Sequence, residues 1–451
     1  MRIFRWTVLC TSLLMSAPAM AQNWIFDART IGLGGVGDIN NVAANMVDEQ
    51  RPYKTVVLPF GLFQVLQDFG KFNPTDDDFD MVRAIEYAAS PIHYIIGRNS
   101  TDTGTQFMSD LRNGTLNRNL NTYAGFTPMN EITAEGLASP SWGGTIKFHK
   151  GTGGSFQGVY IGGGPYLSMQ TSGTFDPALT ALWASPTPIF PPNATYHLAS
   201  ATLNQNAIAI TGGYRARMAW PSGVGSGGET EGLYIGANYH YLWGLFYQDF
   251  DANGRIDTNA AGLVTPRPGV GAPLTLTRAT SSDGRGFALD AGVTAVVNRW
   301  ELGFGVNGIA NRMDWTDVEA TDYVLPSLIS GGDFVDFPAR PVADAHVELP
   351  VDYRANATYN AERWTAIGEF ANGFNGTSVR GGYEQRFRSV ELRGGGRYVN
   401  DRFEPTGGVG FNLSDRTSFD VAAFGTSANI ERERHLALAF SFRFGLDPKQ
   451  P

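Results

Sequence analysis

His435-Leu436-Ala437-Leu438-Ala439-Phe440-Ser441-Phe442-Arg443-Phe444 is the stretch that decides the fold of this chain. Leu436, Leu438, Phe440, Phe442 and Phe444 share one face of an extended segment, and His435, Ala437, Ala439, Ser441 and Arg443 share the other. Successive side chains of a strand point to opposite faces, so this is a strand greasy on one side only. Its length, about ten residues, is what a tilted strand needs to cross a bilayer. A slip of one residue would carry Arg443 to the greasy face, so the register is strongly specified.

The same design recurs upstream. Leu233, Ile235, Ala237, Tyr239, Tyr241 and Trp243 alternate with Tyr234, Gly236, Asn238 and His240, and Phe287, Leu289, Ala291, Val293, Ala295 and Val297 alternate with Asp290, Gly292 and Thr294. Trp300, Leu302, Phe304 and Val306 follow a tight turn at Asn298-Arg299, and Val351, Tyr353, Ala355, Ala357 and Tyr359 oppose Asp352, Arg354, Asn356 and Thr358. Strand and turn run nearly unbroken over 286–445, apart from one long loop. Earlier strands are expected at 143–150, 156–171, 203–220 and 229–247, with less regular candidates at 55–69 and 91–98. The expected fold is all-β, a transmembrane antiparallel β-barrel of about 14 strands, within a range of about 12 to 16, the number being even for a single-chain bacterial barrel.

The inward faces carry Arg215, Arg217, Arg354, Arg380, Glu384, Arg386, Arg393, Arg397 and Arg443. A water-soluble sandwich or propeller would have to bury those charges, each at a cost of several kcal/mol. Trp220, Trp243, Trp300, Trp364 and Tyr398 sit at strand ends, where an interfacial girdle belongs. Arg380, Glu384, Arg386, Glu391 and Arg393 alternate in sign, which reads either as charge pairing that fills the lumen or as the lining of an anion-selective pore.

The N-terminus sets the compartment. Arg2 and Arg5 precede an apolar run from Val8 to Met15, and Ala19-Met20-Ala21 supplies the small residues of a signal-peptidase site, so 1–21 is expected to be a cleaved signal peptide. Removing 21 of 451 residues leaves 430, and the single cysteine, Cys10, goes with them. Disulfides and cysteine-based metal sites are thereby excluded. The net charge of −9 argues against nucleic acid as a partner. High glycine (55 residues), 12% aromatics and only 17% charged residues suit strands with tight turns and aromatic belts. Residues 22–90 read as a plug or first-strand region with a short helix capped by Asp76 or Asp77, 91–446 as the barrel with long extracellular loops, and 447–451 as a tail.

Long loops are expected at 99–140, 172–202, 249–285 and 314–350. The second is apolar, with Leu179, Leu182, Trp183, Ile189 and Phe190 among Pro186, Pro188, Pro191 and Pro192; it is either an exposed binding surface or a cover folded into the barrel mouth. Asp249, Asp251, Asn253 and Asp257, with Gly254 at the sixth position, have the spacing of an EF-hand or dockerin-type calcium loop, although Ala260 stands where a bidentate carboxylate is needed. The alternative is an Asx-rich turn, and Ca2+ is the only cofactor the sequence raises. No catalytic constellation emerges: the six histidines are scattered, no Gly-x-Ser-x-Gly is present, and Gly32-x-Gly34-x-x-Gly37 lacks the βαβ setting of a dinucleotide fingerprint. An enzyme is not expected.

Ala28-Arg29-Thr30-Ile31-Gly32-Leu33-Gly34-Gly35-Val36-Gly37 resembles the opening of the FadL-like outer-membrane barrels, a group spanning the long-chain fatty-acid transporter and the TraF-like and PorV-like barrels. Gly32, Gly34 and Gly35 match; Leu33 replaces the usual Met, and Asn40-Asn41-Val42-Ala43-Ala44-Asn45 stands where Asn-Pro-Ala often follows. The resemblance implies an outer-membrane barrel of about fourteen strands with an N-terminal plug, passing hydrophobic molecules. The expected function is passive uptake of small hydrophobic or amphipathic molecules. The alternatives are a non-transport barrel serving as surface or assembly partner of a secretion or conjugation apparatus, and a general porin. Expected partners are outer-membrane lipid, a hydrophobic small molecule and the barrel-assembly machinery during biogenesis.

Overall fold

A computed structural model describes residues 27–36, 42–48, 54–68, 92–96, 103–125, 130–139, 141–228, 230–265, 272–327, 333–373, 376–399, 402–414, 416–426 and 435–445. The expected signal peptide, the helix at Asp76 or Asp77 and the tail 447–451 lie outside these residues.

The first strands are β1 (Lys54–Leu58), β2 (Tyr94–Ile96), β3 (Glu131–Ala138), β4 (Trp142–Lys150), β5 (Phe156–Phe175), β6 (Thr195–Met218) and β7 (Gly232–Asp257). Next come β8 (Leu274–Ser281), β9 (Asp283–Val297), β10 (Trp300–Asn307), β11 (Asn311–Thr316), β12 (Glu319–Leu325), β13 (Val335–Asp336), β14 (Arg340–Pro341) and β15 (Ala345–Val347). The last are β16 (Asp352–Asn360), β17 (Trp364–Gly373), β18 (Gly376–Arg386), β19 (Val390–Val399), β20 (Arg402–Ser414), β21 (Thr417–Thr426) and β22 (His435–Phe444). All 22 belong to one sheet, and every ladder is antiparallel.

Several strands continue one another along a shared neighbour: β1 and β2 along β22, β3 and β4 along β5, and β8 with β9 along β7. Likewise β10 to β12 follow β9 and β8, and β13 to β16 follow β12, β11 and β10. Counted this way, the described residues form fourteen strand lines, running from β1/β2 through β22 down to β16, then β10–β12, β8/β9, β7, β6 and β5 to β3/β4. Among the described residues no ladder joins the last line to the first.

The two faces follow the alternation of the sequence. In β22 His435, Ala437, Ala439, Ser441 and Arg443 are buried, while Leu436 and Phe444 are exposed. Leu302, Phe304, Tyr353, Phe370, Val379 and Leu392 are also exposed, opposite buried Glu301, Arg354, Glu369, Arg380 and Glu391. Charge inside and large apolar side chains outside is the arrangement a hydrocarbon solvent selects. Trp300, Tyr359, Trp364 and Tyr383 form a row across β10, β16, β17 and β18 beside the short turns, with successive ring centroids 4.9, 5.1 and 5.8 Å apart. This is the aromatic girdle at one membrane interface.

The wall is taller on one side. Strands β5, β6 and β7 have 20, 24 and 26 residues, about twice what a bilayer crossing requires. Opposite Asn206 and Ala207 of β6, a bulge leaves Leu245 of β7 as an extra residue, so the inward positions of β7 are even up to Gly244 and odd from Tyr247. Beyond it, the outer face carries a packed cluster instead of lipid-facing residues. Helices Thr103–Asn113 and Pro177–Ala184 bring Phe107, Leu111, Leu179 and Trp183 against Phe175, Tyr196, Ile256 and Leu276 of the strands. Asp110 organises the first helix by accepting from Thr115 Oγ1 at 2.5 Å, Asn119 Nδ2 at 2.8 Å and the Tyr123 hydroxyl. Burial, then that carboxylate, push the Tyr123 phenol well above its ordinary range.

Five expected boundaries are corrected. Residues 99–140 contain helices and β3, and 249–285 contain the end of β7 and all of β8. Residues 314–350 contain β12 to β15, and only 176–194 of the second loop lies between strands. The expected strand 55–69 is β1 followed by a helix, Phe60–Gln67. A short apolar run such as Phe-Gly-Leu-Phe-Gln-Val-Leu does not by its period distinguish helix from strand. The helix lies on the outer face, where Phe60 meets Phe440 edge to face at 5.2 Å. Its Gln64 amide donates to Ile95 O and accepts from Ile95 N, both at 2.9 Å, in place of a neighbouring strand.

Candidate functional site

The inner face holds a plug, a charge lattice and an apolar cluster. The plug starts with helix Ala28–Gly32, capped by Asp27, whose carboxylate accepts from Thr30 N at 3.0 Å. Ala28 N donates to Ser441 Oγ of β22 at 3.2 Å. The next plug helix, Val42–Asp48, reaches the opposite side: a Cβ on Gly236 of β7 would meet Val42 at 2.6 Å, and Ala43, Met46 and Val47 pack on Phe156, Tyr234 and Val296. A segment this short touches both β22 and β7 only because the sheet curls around it.

The glycines of the N-terminal motif are explained by close approach. Gly34 has φ +82°, and a Cβ there would lie 2.4 Å from Gly381 O and 2.7 Å from Gly396 O. Wall and plug are complementary, since a Cβ on Gly382 or Gly395 would run into the Leu33 backbone.

The lattice surrounds the plug. Arg29 grips Glu384 through Nε at 2.9 Å and Nη2 at 3.0 Å, a bidentate pair. Glu384 also takes Arg393 at 2.8 Å and Arg386 at 3.4 Å. Arg393 continues to Asp420 at 2.7 Å and to Glu391, and Arg443 joins Asp420 at 2.7 Å. A second group pairs Arg354 with Asp352 at 2.6 Å and Glu369 at 3.1 Å, while Arg380 donates to Gly35 O at 3.2 Å. Arg397 pairs with Glu404. Arg215 and Arg217 lie elsewhere, on β6, over the rings of Tyr160 and Tyr234 at 4.5 and 5.6 Å.

All nine expected lumenal charges therefore face inward, and seven join the lattice. The packed and paired reading of the lumen fits this geometry; a pore lined by free arginines does not. Sequence reasoning missed Glu369, Asp420 and Glu404, because a lone acid on an alternating strand does not announce its partner, and it missed the role of Arg29, whose partner lies on a distant strand.

On the tall side the inner face carries an apolar cluster. Trp315 is fully buried among Ala207, Ala209, Leu242, Tyr247, Met313 and Val318, and its Nε1 donates to Gln205 Oε1 at 2.9 Å. Gly244 and Gly284 make the slot for its ring, since Cβ atoms there would come within 2.6 and 2.4 Å of it. Just below, Thr211, His240 and Asp290 form a polar chain: His240 Nδ1 meets Thr211 Oγ1 and Nε2 meets Asp290 Oδ2, each at 2.8 Å.

Two other expectations end differently. Leu179, Trp183 and Phe190 are buried and Leu182 is half-buried in the cluster on the outer face of the tall wall, with only Ile189 exposed, at 74%. They therefore neither cover the mouth nor form an open patch. Residues 249–257 are not a calcium loop but the end of β7, paired to β6 and β8. Extended backbone spreads Asp249, Asp251, Asn253 and Asp257 along a line instead of wrapping them around a point. Asp257 accepts from Thr195 Oγ1 at 2.6 Å. Among the described residues no group of three or more His, Cys, Asp or Glu is placed to hold a metal ion.

No family model matches the chain, and no curated protein matches it. Solved structures do resemble it. The toluene transporter TbuX of Ralstonia pickettii is 10% identical with a TM-score of 0.34, over 70% of this chain and 87% of that one. The toluene transporter TodX of Pseudomonas putida is 12% identical with a TM-score of 0.30, over 70% and 87%. A mutant of the Rh. blastica porin is 8% identical with a TM-score of 0.21, over 53% and 91%. At such identities no residue's role transfers.

Proposed function

We propose that the chain is an outer-membrane channel for passive uptake of small hydrophobic or amphipathic molecules. The observation that carries this reading is the apolar cluster around Trp315 on the inner face of the wall, whose half-buried members Leu203, Val342, Ala345 and Val347 are the surface a solute can meet. A water-filled pore for ions has no use for such a surface, whereas an apolar solute gains by entering it. The plug and its neutralising lattice support the same reading, because they fill the space a general porin keeps open. Outer-membrane lipid on the apolar face and the barrel-assembly machinery during biogenesis are the partners this reading requires.

The test uses the purified mature protein in planar bilayers and in liposomes, with the hydrophobic fluorophore phenylnaphthylamine as probe. The expected result is saturable uptake of the probe without large, stable conductance steps. Large steps without probe binding would make it a porin. A silent barrel that ignores the probe but co-purifies with another envelope protein would make it an assembly partner.

A further inference from the structure

We infer that Leu349 is the movable jaw of an outer gate that closes on Leu137 and is latched by Asn311; this rests on the uptake reading above and adds its regulation. Leu137 belongs to β3, in the last strand line, and Leu349 precedes β16, six lines away along the sheet. The two pack together with Tyr166 and Val347 around them. Their contact therefore crosses the inside of the wall and pinches the lumen above the Thr211–His240–Asp290 chain.

Leu349 is held differently from the wall on either side of it. β15 pairs with β11 through only three residue pairs, and the ladder of β16 starts at Asp352. Between them the backbone of Leu349 is bound by one side chain: Leu349 N donates to Asn311 Oδ1 at 2.7 Å, and Asn311 Nδ2 donates to Leu349 O at 2.9 Å. Pro350 follows and has no N–H to offer a ladder. A single amide latch opens far more readily than a run of ladder hydrogen bonds.

The latch is also connected to the lumen. Asn311 Nδ2 donates to Gly308 O at 3.1 Å, Gly308 N donates to Asp290 Oδ1 at 2.8 Å, and Asp290 meets His240. The carboxyl side chain of Asp290 is 17% exposed. A polar group arriving there competes for the Gly308 N–H and thereby loosens the seat of Asn311, giving a solute a contiguous physical route to the jaw.

The sequence helps the test, because its one cysteine, Cys10, lies in the expected signal peptide. The mature Leu137→Cys/Leu349→Cys variant is crosslinked by oxidation or by a short bismaleimide, and phenylnaphthylamine uptake into liposomes is followed before and after reduction of the disulfide. Heat-modifiable gel migration verifies folding of every variant. The gate requires uptake to fall roughly tenfold or more on crosslinking and to return on reduction, and Asn311→Ala to raise it by a comparable factor, as expected for losing two backbone hydrogen bonds. Wild-type uptake with an unaffected crosslinked form overturns the gate and leaves the uptake reading standing, as does a folded pair that neither reagent joins. If neither wild type nor Asn311→Ala passes the probe, the uptake reading falls and the gate with it.

Discussion

Arg29 and Glu384 stand 355 positions apart in the chain, yet their side chains meet in two hydrogen bonds of 2.9 and 3.0 Å. The plug is fastened to β18 by this pair. Arg29→Ala leaves Glu384 bound to Arg393, so the barrel should still fold while the plug loosens. Single-channel recording should then show conductance events that the wild type lacks. Glu384→Gln is a different case, because Arg29 and Arg393 lose the carboxylate they share. It should destabilise the protein by about 3–5 kcal/mol, read from denaturant unfolding in lipid vesicles.

Depth in the membrane should decide the cost of an outward-facing charge. Phe304→Arg places a cation in the apolar band and should cost about 2–4 kcal/mol, whereas Trp300→Arg, at the girdle, should cost about 0–1 kcal/mol. Both side chains are exposed in the structure. Equal costs for the two, measured by unfolding in vesicles, would mean the wall does not span the bilayer as described.

The Trp315 slot can be tested from both sides. Trp315→Ala leaves a cavity and should cost about 3–5 kcal/mol. Gly284→Ala puts a methyl carbon 2.4 Å from the indole and should cost about 1–3 kcal/mol through overpacking. Tryptophan fluorescence of Gly284→Ala should move to the red as the ring is displaced.

Glu231 clasps the turn before β7 to the β9–β10 turn. Hydrogen bonds from the Ser226 hydroxyl at 2.7 Å and the backbone N–H groups of Ser226, Asn298 and Gly227 at 3.1, 2.7 and 3.0 Å hold its carboxyl down to about 2. A depressed folded-state value contributes stability that is complete above the ordinary value of 4.5 and lost progressively as pH falls toward about 2. Hydrogen exchange at Ser226 and Asn298 should therefore be independent of this group above pH 5 and show growing loss of protection below it. Glu231→Gln should remove that dependence.

How much of this was legible in the sequence depends on which solvent each segment meets. β22 was readable to the residue, because lipid outside and a packed lumen inside impose opposite demands on alternate positions. The same rule failed at 249–257, where β7 has risen above the bilayer. There the odd positions meet water or polar neighbours, so Asp249, Asp251 and Asn253 look like a loop although their backbone is extended. β3 was likewise missed within an expected loop.

The sequence by itself determined the strand period, the face each side chain takes and the register within a hairpin, because these follow from local geometry and neighbouring residues. Only the tertiary structure decided which inward groups meet. Arg29 with Glu384, Asn311 with Leu349 and Leu137 with Leu349 join residues whose separation in the chain carries no periodic signal. They come together because the sheet curls, and the curl is a property of all its ladders at once.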